Sequence, residues 1–455
     1  PYRPGDSQTA LMKPLAGQHI AILGAGRSGL GAARLARLLG GEATVLDEGS
    51  PDQLATAIAH LTGEGFRVVC GEDAKALNVN AGDFDLVVVS PGLDENWPLP
   101  AKFTSVGIPL IGETEFAFQH TDMGLVAITG TNGKTTCTEA VAAIFGGCGL
   151  RSVPCGNHGV SLSEIVASGE RYDVLALELS SFQLETIRTF RAKANIWLNF
   201  APDHLDRYPD IDSYFEAKAR IFMNAVPGDQ AIVRAGEEVA SGVAIRRTFS
   251  AEPGVTADLT YAAGEIRRGG EVIGRTDGLK IRGRHNMENV LAALLAGEAF
   301  GLKMESMLEA LRDFTPPAHR CELVRVLDDR EYINDSKATN LHALEACILS
   351  QDRPIVLIAG GKDKELDYTP LRPSLGGRVR AMIFIGEIAG QLESTFGDLL
   401  PCDRASDMAD AVAKARSVSL AGDAVILSPG TSSFDMYSGY SARGQAFRDA
   451  VHGLN

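Results

Sequence analysis

Short, unbroken apolar runs recur along this chain and constrain its fold more than any other feature. They include His19 to Leu23, Ala43 to Leu46, Leu86 to Ser90, Leu125 to Ile128, Val174 to Leu177 and Asn195 to Asn199. Ile355 to Ile358, Ala381 to Ile385 and Ala424 to Leu427 continue the series. A strand buried on both faces has this character, which is the usual case for parallel sheets covered by helices. Helical stretches such as Leu30 to Leu39 and Met287 to Ala299 lie between the runs. The fold expected is therefore α/β. At roughly 150 residues per domain, 455 residues make three domains. Phe314-Thr315-Pro316-Pro317 is the best linker, and a Gly-rich polar stretch from Gly254 to Gly283 reads as a hairpin excursion of the middle domain. The expected division is 1–112, 113–314 and 315–455.

Composition narrows the function. Forty-three basic against fifty-eight acidic residues give a net charge of −15, a poor match to nucleic acid or anionic lipid. Anionic ligands must then be held by local devices. No apolar run reaches the roughly 18 residues of a membrane span, and Pro4, Asp6 and Gln8 before Met12 do not resemble a secretion signal. The seven cysteines show no CxxC or Cys/His spacing. That argues against a disulfide framework and a structural zinc site, and for a reducing cytoplasm.

Two glycine loops carry the chemistry. Gly24-Ala25-Gly26-Arg27-Ser28-Gly29 is G-x-G-x-x-G after a strand, with Asp47 following the next strand. This pattern is used by dinucleotide folds. Its physical content is a tight turn and free N–H groups at a helix start, which any nucleotide diphosphate can use. The second loop, Gly130-Thr131-Asn132-Gly133-Lys134-Thr135-Thr136, predicts nucleoside triphosphate binding. Its glycines let backbone N–H groups approach phosphates, Lys134 supplies a point charge, and Thr135 supplies a hydroxyl for Mg²⁺. The loop is shorter than a full G-x-x-x-x-G-K-[ST], since Ile128 occupies the first glycine position. Glu178 ends a buried strand and reads as a Mg²⁺ ligand. His204, taken alone, reads equally as a structural histidine.

Taken in order, the motifs resemble the Mur ligases, in particular their glutamate-adding branch. They are GTNGKTT at 130–136, ELSSFQLE at 178–185, NFAPDHLDRY at 199–208 and YFEAKARIF at 214–222. GRHNMEN at 283–289, HRCE at 319–322, NDSKATN at 334–340 and LSPGTSSFD at 427–435 follow. The resemblance implies a Rossmann-like N-terminal UDP-binding domain, a central P-loop-type ATPase domain with a mainly parallel sheet, and a Rossmann-like C-terminal domain. The implied reaction joins glutamate, D-Glu favoured over L-Glu, to UDP-MurNAc-L-Ala in cytoplasmic peptidoglycan precursor synthesis. It proceeds through an acyl phosphate and releases ADP and phosphate. The acidic charge and the lack of an obvious exposed apolar helix point to a monomer with no nucleic-acid or membrane partner.

The resemblance also implies roles. Arg27, Ser28, Asp47 and Gly92 serve the UDP part, and Asn157 and Gln183 the muramoyl-peptide end. Gly130 to Thr136, Asn289, Arg320 and Asp335 serve ATP. Thr135 and Glu178 belong to one Mg²⁺ site, and His204 and a carbamylated Lys218 to a second. Lys134, His204 and Lys218 are the implied catalytic residues. Lys218 by itself would be a solvated helix lysine; a carbamate there turns a cation that opposes Mg²⁺ into an anion that supports it. Lys337, Thr339, Lys364, Ser433, Phe434 and Tyr440 are implied to hold glutamate.

Three departures touch the substrate pockets: Gly430 after Ser428-Pro429 where alanine is common, Tyr440 where phenylalanine is usual, and His158 where an aliphatic residue is frequent. Rival readings are another Mur branch, expected to lack NDSKATN, and folylpolyglutamate synthase, which lacks an N-terminal UDP domain. An NAD-dependent oxidoreductase and a non-catalytic UDP-sugar sensor are further rivals. The joint presence of Lys134, Glu178, His204 and Lys218 speaks against the sensor.

Overall fold

The computed structural model describes residues 14–204, 207–281 and 283–454. The N-terminal segment containing Pro4, Asp6, Gln8 and Met12, and Leu205 and Asp206 of the NFAPDHLDRY stretch, lie outside the described residues. The apolar runs form three α/β sheets. The first is wholly parallel and sets Arg67–Cys70, Glu42–Asp47, His19–Leu23, Leu86–Val89 and Leu110–Gly112 side by side. Its strand order places the first strand, His19–Leu23, at the centre, as in doubly wound nucleotide-binding sheets.

The second sheet has nine strands. Gly124–Thr129 lies in its interior between Val174–Glu178 and Ala194–Trp197, all three parallel. The expected hairpin excursion is present as Leu259–Ala262, Glu265–Arg268 and Glu271–Arg275, an antiparallel meander joined to the sheet through Phe249 and Leu259. The third sheet runs Glu322–Leu327, Arg330–Asn334, Ala424–Leu427, Ile355–Ala359, Val379–Phe384 and Cys402–Arg404, with only its first pair antiparallel.

The chain clusters into two compact units. One holds the first two sheets, with Gly254–Asp277 and Asn289–Arg312. The other holds the third sheet, with Ala251–Pro253 and Gly278–Glu288. The first two sheets group together because their cores are continuous: Ile20, Ile22, Val45 and Val88 share one buried cluster with Leu125, Ala127, Leu175 and Leu177. Helix Arg27–Leu38 packs on helix Leu162–Ala167. Their close approach needs Gly31, where a Cβ would lie 2.7 Å from Ser161 Oγ and 3.0 Å from the Glu164 nitrogen.

Candidate functional site

In the first unit the phosphate loop joins strand Gly124–Thr129 to helix Lys134–Gly147. Its two neighbouring strands deliver their own C-terminal ends to the same place. Ile128 is in register with Glu178 on one side, and Thr129 with Trp197 on the other. The second neighbour leads into Asn199 and Ala201, which hold the loop shut. The Asn132 N–H donates to Asn199 Oδ1 at 2.9 Å, and Asn199 Nδ2 donates to the Asn132 carbonyl at 3.1 Å. The Thr131 hydroxyl donates to the Ala201 carbonyl at 3.1 Å. Sequence reasoning noted the motif but missed Asn199 as the brace. Gly133 sits at φ +86°, and a Cβ there would run into the Asn289 side chain. The glycine thus leaves room for Asn289, implied to serve ATP, beside the loop.

Lys134 Nζ donates to the Gly130 carbonyl at 2.9 Å and the Thr131 carbonyl at 3.0 Å. Lys218 Nζ donates to the same Gly130 carbonyl at 2.9 Å and lies 4.8 Å from the Tyr214 ring centroid. The reading of Lys218 as a solvated helix lysine is therefore wrong: only 2% of it is exposed. Burial and the Lys134 ammonium push its amine well below the ordinary lysine range, against the pull of Asp203 and Glu178. Thr135, Thr136 and Glu178 are also buried. His204, at φ +55°, lies edge-on to Phe182 at 5.0 Å and to Tyr214 at 5.8 Å between ring centroids. Thr135, Glu178 and Asp203 are hard oxygen donors at the C-terminal edge of one sheet, the donor type Mg²⁺ takes.

A cleft of about 270 Å³ in the same unit gathers Arg27, Ser28 and Gly92 from one wall and Asn157 and Gln183 from the other. It also brings in Ser90, Gly159 and Ser161, which sequence reasoning did not single out. Asp47 is not among its lining residues. Its carboxylate accepts the Ala25 N–H at 2.8 Å and the Gly49 N–H at 2.8 Å, so it shapes the glycine loop. Gln183 completes a capping box with Ser180 and donates to Thr114 at 3.4 Å. Asn157 Nδ2 donates to Glu178 Oε1 at 2.8 Å, which ties the cleft to the acid beside the phosphate loop. His158 pairs with Glu139 at 3.1 Å.

In the second unit, NDSKATN, Gly360–Lys364 and Ser428–Ser433 follow three adjacent parallel strands, Arg330–Asn334, Ile355–Ala359 and Ala424–Leu427. Open α/β sheets bind ligands at such strand ends. Lys337 Nζ donates to the Tyr440 hydroxyl at 3.2 Å, and Lys364 Nζ to the Thr339 carbonyl at 3.3 Å. Burial pushes the Tyr440 phenol up, but the Lys337 ammonium outweighs it and holds the phenol below its ordinary value. Ser433 is buried and Phe434 is exposed. Gly430 adopts φ +73° with its Cβ position 2.8 Å from Leu344 Cδ2, which accounts for glycine at this departure. Arg443, also missed in the sequence, is buried and donates to Ser336 Oγ at 3.1 Å, Thr431 O at 3.0 Å and Ser432 O at 3.2 Å. It sutures two of the three loops.

Asp335 accepts the Cys321 N–H at 3.1 Å and the Ser428 hydroxyl at 3.0 Å. Burial pushes its carboxyl up to about 6, opposed by those hydrogen bonds and by the Arg320 guanidinium. Arg320 and Asp335 thus belong to the second unit, and the phosphate loop to the first.

Comparison with known proteins agrees with this geometry. Residues 128–297 match the Mur ligase middle domain, and residues 319–431 match the Mur ligase, glutamate ligase domain. UDP-N-acetylmuramoylalanine–D-glutamate ligase of Salinibacter ruber is 38% identical, over 95% of this chain and 97% of its own length. The protein of the same name from Anaeromyxobacter dehalogenans is 39% identical, over 95% and 97%. Among solved structures, the MurF ligase of Thermotoga maritima in complex with ADP is similar with a TM-score of 0.61 at 13% identity, over 90% of this chain and 95% of that one. UDP-N-acetylmuramate–alanine ligase MurC of the same organism gives a TM-score of 0.58 at 17% identity, over 96% and 99%. These two likenesses establish the fold. With both family domains matched and relatives aligned over nearly their whole length, the chain belongs to the Mur ligase family, in the branch of the UDP-N-acetylmuramoylalanine–D-glutamate ligases.

Proposed function

We propose that this chain joins D-glutamate to UDP-MurNAc-L-Ala with hydrolysis of ATP to ADP and phosphate. One observation carries the reading. The cleft lined by Arg27, Ser28, Gly92, Asn157 and Gln183 leads through the Asn157–Glu178 hydrogen bond to the loop built for a triphosphate. The acceptor's alanyl carboxylate attacks the γ-phosphorus, and the bond to ADP breaks. The glutamate amine then attacks the acyl phosphate carbonyl, phosphate leaves and the amine loses its proton. The relatives' names favour D-glutamate over the L-glutamate alternative.

Roles follow from placement. Gly130 to Thr136 present N–H groups, the Lys134 charge and the Thr135 hydroxyl to the phosphates, with Asn289 at the base. Asp47 acts on the UDP end by shaping its loop. Arg320 and Asp335 are assigned to ATP. Lys337, Thr339, Lys364, Ser433, Phe434 and Tyr440 are assigned to glutamate, whose two carboxylates need cations and hydroxyls.

Two Mg²⁺ ions, held by Thr135, Glu178, His204 and Lys218, would offset the charge on the transferring phosphoryl group. The buried oxygens of Thr135 and Glu178 fit such an ion; an ammonium at Lys218 does not. A deprotonated Lys218 amine adding to CO₂ gives a carbamate and one proton, and the site then suits a cation. We place the reaction in the cytoplasm and read the enzyme as a monomer. The net charge of −15 supports small-molecule substrates without a nucleic-acid or membrane partner. Among the described residues no helix is long and apolar enough to cross a membrane.

The test is phosphate release from ATP with UDP-MurNAc-L-Ala and, in turn, D-Glu, L-Glu, L-Lys and meso-diaminopimelate. Release with D-Glu alone supports the proposal. Equal release with all four, or release that ignores the acceptor, refutes it.

A further inference from the structure

The cysteines show no metal-binding spacing in the sequence, yet the second unit brings two of them together. Cys321 and Cys347 are 26 positions apart, and their sulfurs lie 3.8 Å from each other. Cys347 is on the helix Leu341–Leu349 and is buried; Cys321 stands in the HRCE segment at φ +46°. Asp335, at the end of strand Arg330–Asn334, completes a group of three donor atoms all within 4.8 Å of one another. His285 approaches the same place, with Nε2 3.5 Å from Cys321 Sγ.

From this convergence we propose a second metal site, for a single thiophilic divalent ion of the Zn²⁺ type, held by Cys321, Cys347 and Asp335, with His285 next to Cys321 but outside the group of donors. The distances fit the chemistry. Two Zn–S bonds of about 2.3 Å at the tetrahedral angle hold their sulfurs about 3.8 Å apart. The observed 3.8 Å between the sulfurs matches this spacing. Two thiolates with one carboxylate select Zn²⁺ over Mg²⁺, which takes oxygen ligands and keeps its waters.

The site has supporting structure and access. The Asp335 carboxylate is oriented by the Cys321 N–H at 3.1 Å and the Ser428 hydroxyl at 3.0 Å, the outer hydrogen bonds a ligating carboxylate requires. A polar pocket bounded by Glu288, His342 and Glu345 opens onto His285 and gives a cation an entry path. Arg284 also lines this pocket and is paired with Glu252 at 3.1 Å. Binding would release the two thiol protons and tie together the HRCE segment, the helix carrying Cys347 and the strand end carrying Asp335.

Co²⁺ titration of the reduced full-length protein, without nucleotide, tests the proposal. The expected result is a thiolate-to-cobalt charge-transfer band that saturates at one equivalent, is abolished by Zn²⁺, and persists in Cys402→Ser. Cys321→Ser and Cys347→Ser should each lose it while keeping the wild-type circular dichroism. A measurement on the wild type alone guards against variants that fail to fold. Zn²⁺ should slow alkylation of Cys321 and Cys347, read residue by residue by mass spectrometry, and should raise the Tm. No thiolate band, a band that survives in both serine variants, or equal alkylation with and without Zn²⁺ overturns the site. So does oxidation that joins Cys321 to Cys347 in a protein that binds no cobalt.

Discussion

Lys134 and Lys218 donate to one carbonyl, that of Gly130, yet the proposed chemistry asks opposite things of them. Lys134 must remain a cation facing phosphate. Its replacement by alanine is expected to lower turnover by at least about 10²–10³-fold, the usual scale for losing one preorganised electrostatic group. Calorimetry should find UDP-substrate binding nearly unchanged, because the cleft is lined by other residues; an equal loss of that affinity would refute the assignment. Lys218 must become an anion. Lys218→Ala and Lys218→Arg should both be nearly inactive, and acetate or formate should partly restore the alanine variant. The same anions should not rescue Lys134→Ala, where a positive charge is missing. Near-normal activity of Lys218→Arg would return this residue to a structural role.

At the scale of elements, one buried acid fastens the loop that follows Glu185 to helix Glu113–Phe118. Glu115 accepts N–H groups from Arg188 at 2.8 Å, Thr189 at 2.9 Å and Phe190 at 2.9 Å, and the amide of Gln119 at 2.8 Å. Burial pushes its carboxyl up, but the Thr189 hydroxyl and these donors hold it below its ordinary 4.5. A carboxyl with a depressed folded value stabilises the fold fully above the unfolded value and loses that contribution as pH falls through the folded one. Glu115→Gln turns an amide against donors and should cost about 1–3 kcal/mol for each N–H left unmet. Denaturant unfolding should show the gap between wild type and variant widest near neutral pH and narrowing below pH 4.5. A gap independent of pH would mean the charge contributes nothing.

At the scale of the molecule, the loops proposed for phosphate and for the amino acid fall in different units. The triphosphate loop belongs to the first unit, and the three loops assigned to glutamate belong to the second. Lys364→Ala and Ser433→Ala are therefore expected to raise the KM for glutamate far more than that for ATP, since they remove charged and hydroxyl contacts to its carboxylates alone. Initial rates with each substrate varied in turn provide the check. An unchanged glutamate KM in both variants would remove these residues from the pocket.

By itself the sequence determined the α/β class, most buried strands, both glycine loops and the order of the family motifs. These depend on local pattern: an apolar run, a glycine, a lysine at a helix start. The strand Val174–Glu178 was legible to within one residue for this reason. What only the tertiary structure decided is which distant groups meet and which of them lose water. Lys218 reads as solvated in its helix, and its burial comes from a carbonyl 88 positions away. Arg443 has no local pattern, because its partners are the carbonyls and hydroxyl of two separate loops. Asp47 follows the second strand where the motif suggests a ligand contact, but one of its oxygens accepts the Ala25 N–H of the glycine loop and the other the Gly49 N–H. Cys321, Cys347 and Asp335 become neighbours only when a strand end, a helix and the segment before the sheet pack together. Chain pattern encodes short-range preference, whereas desolvation and side-chain convergence are set by packing between residues remote in sequence.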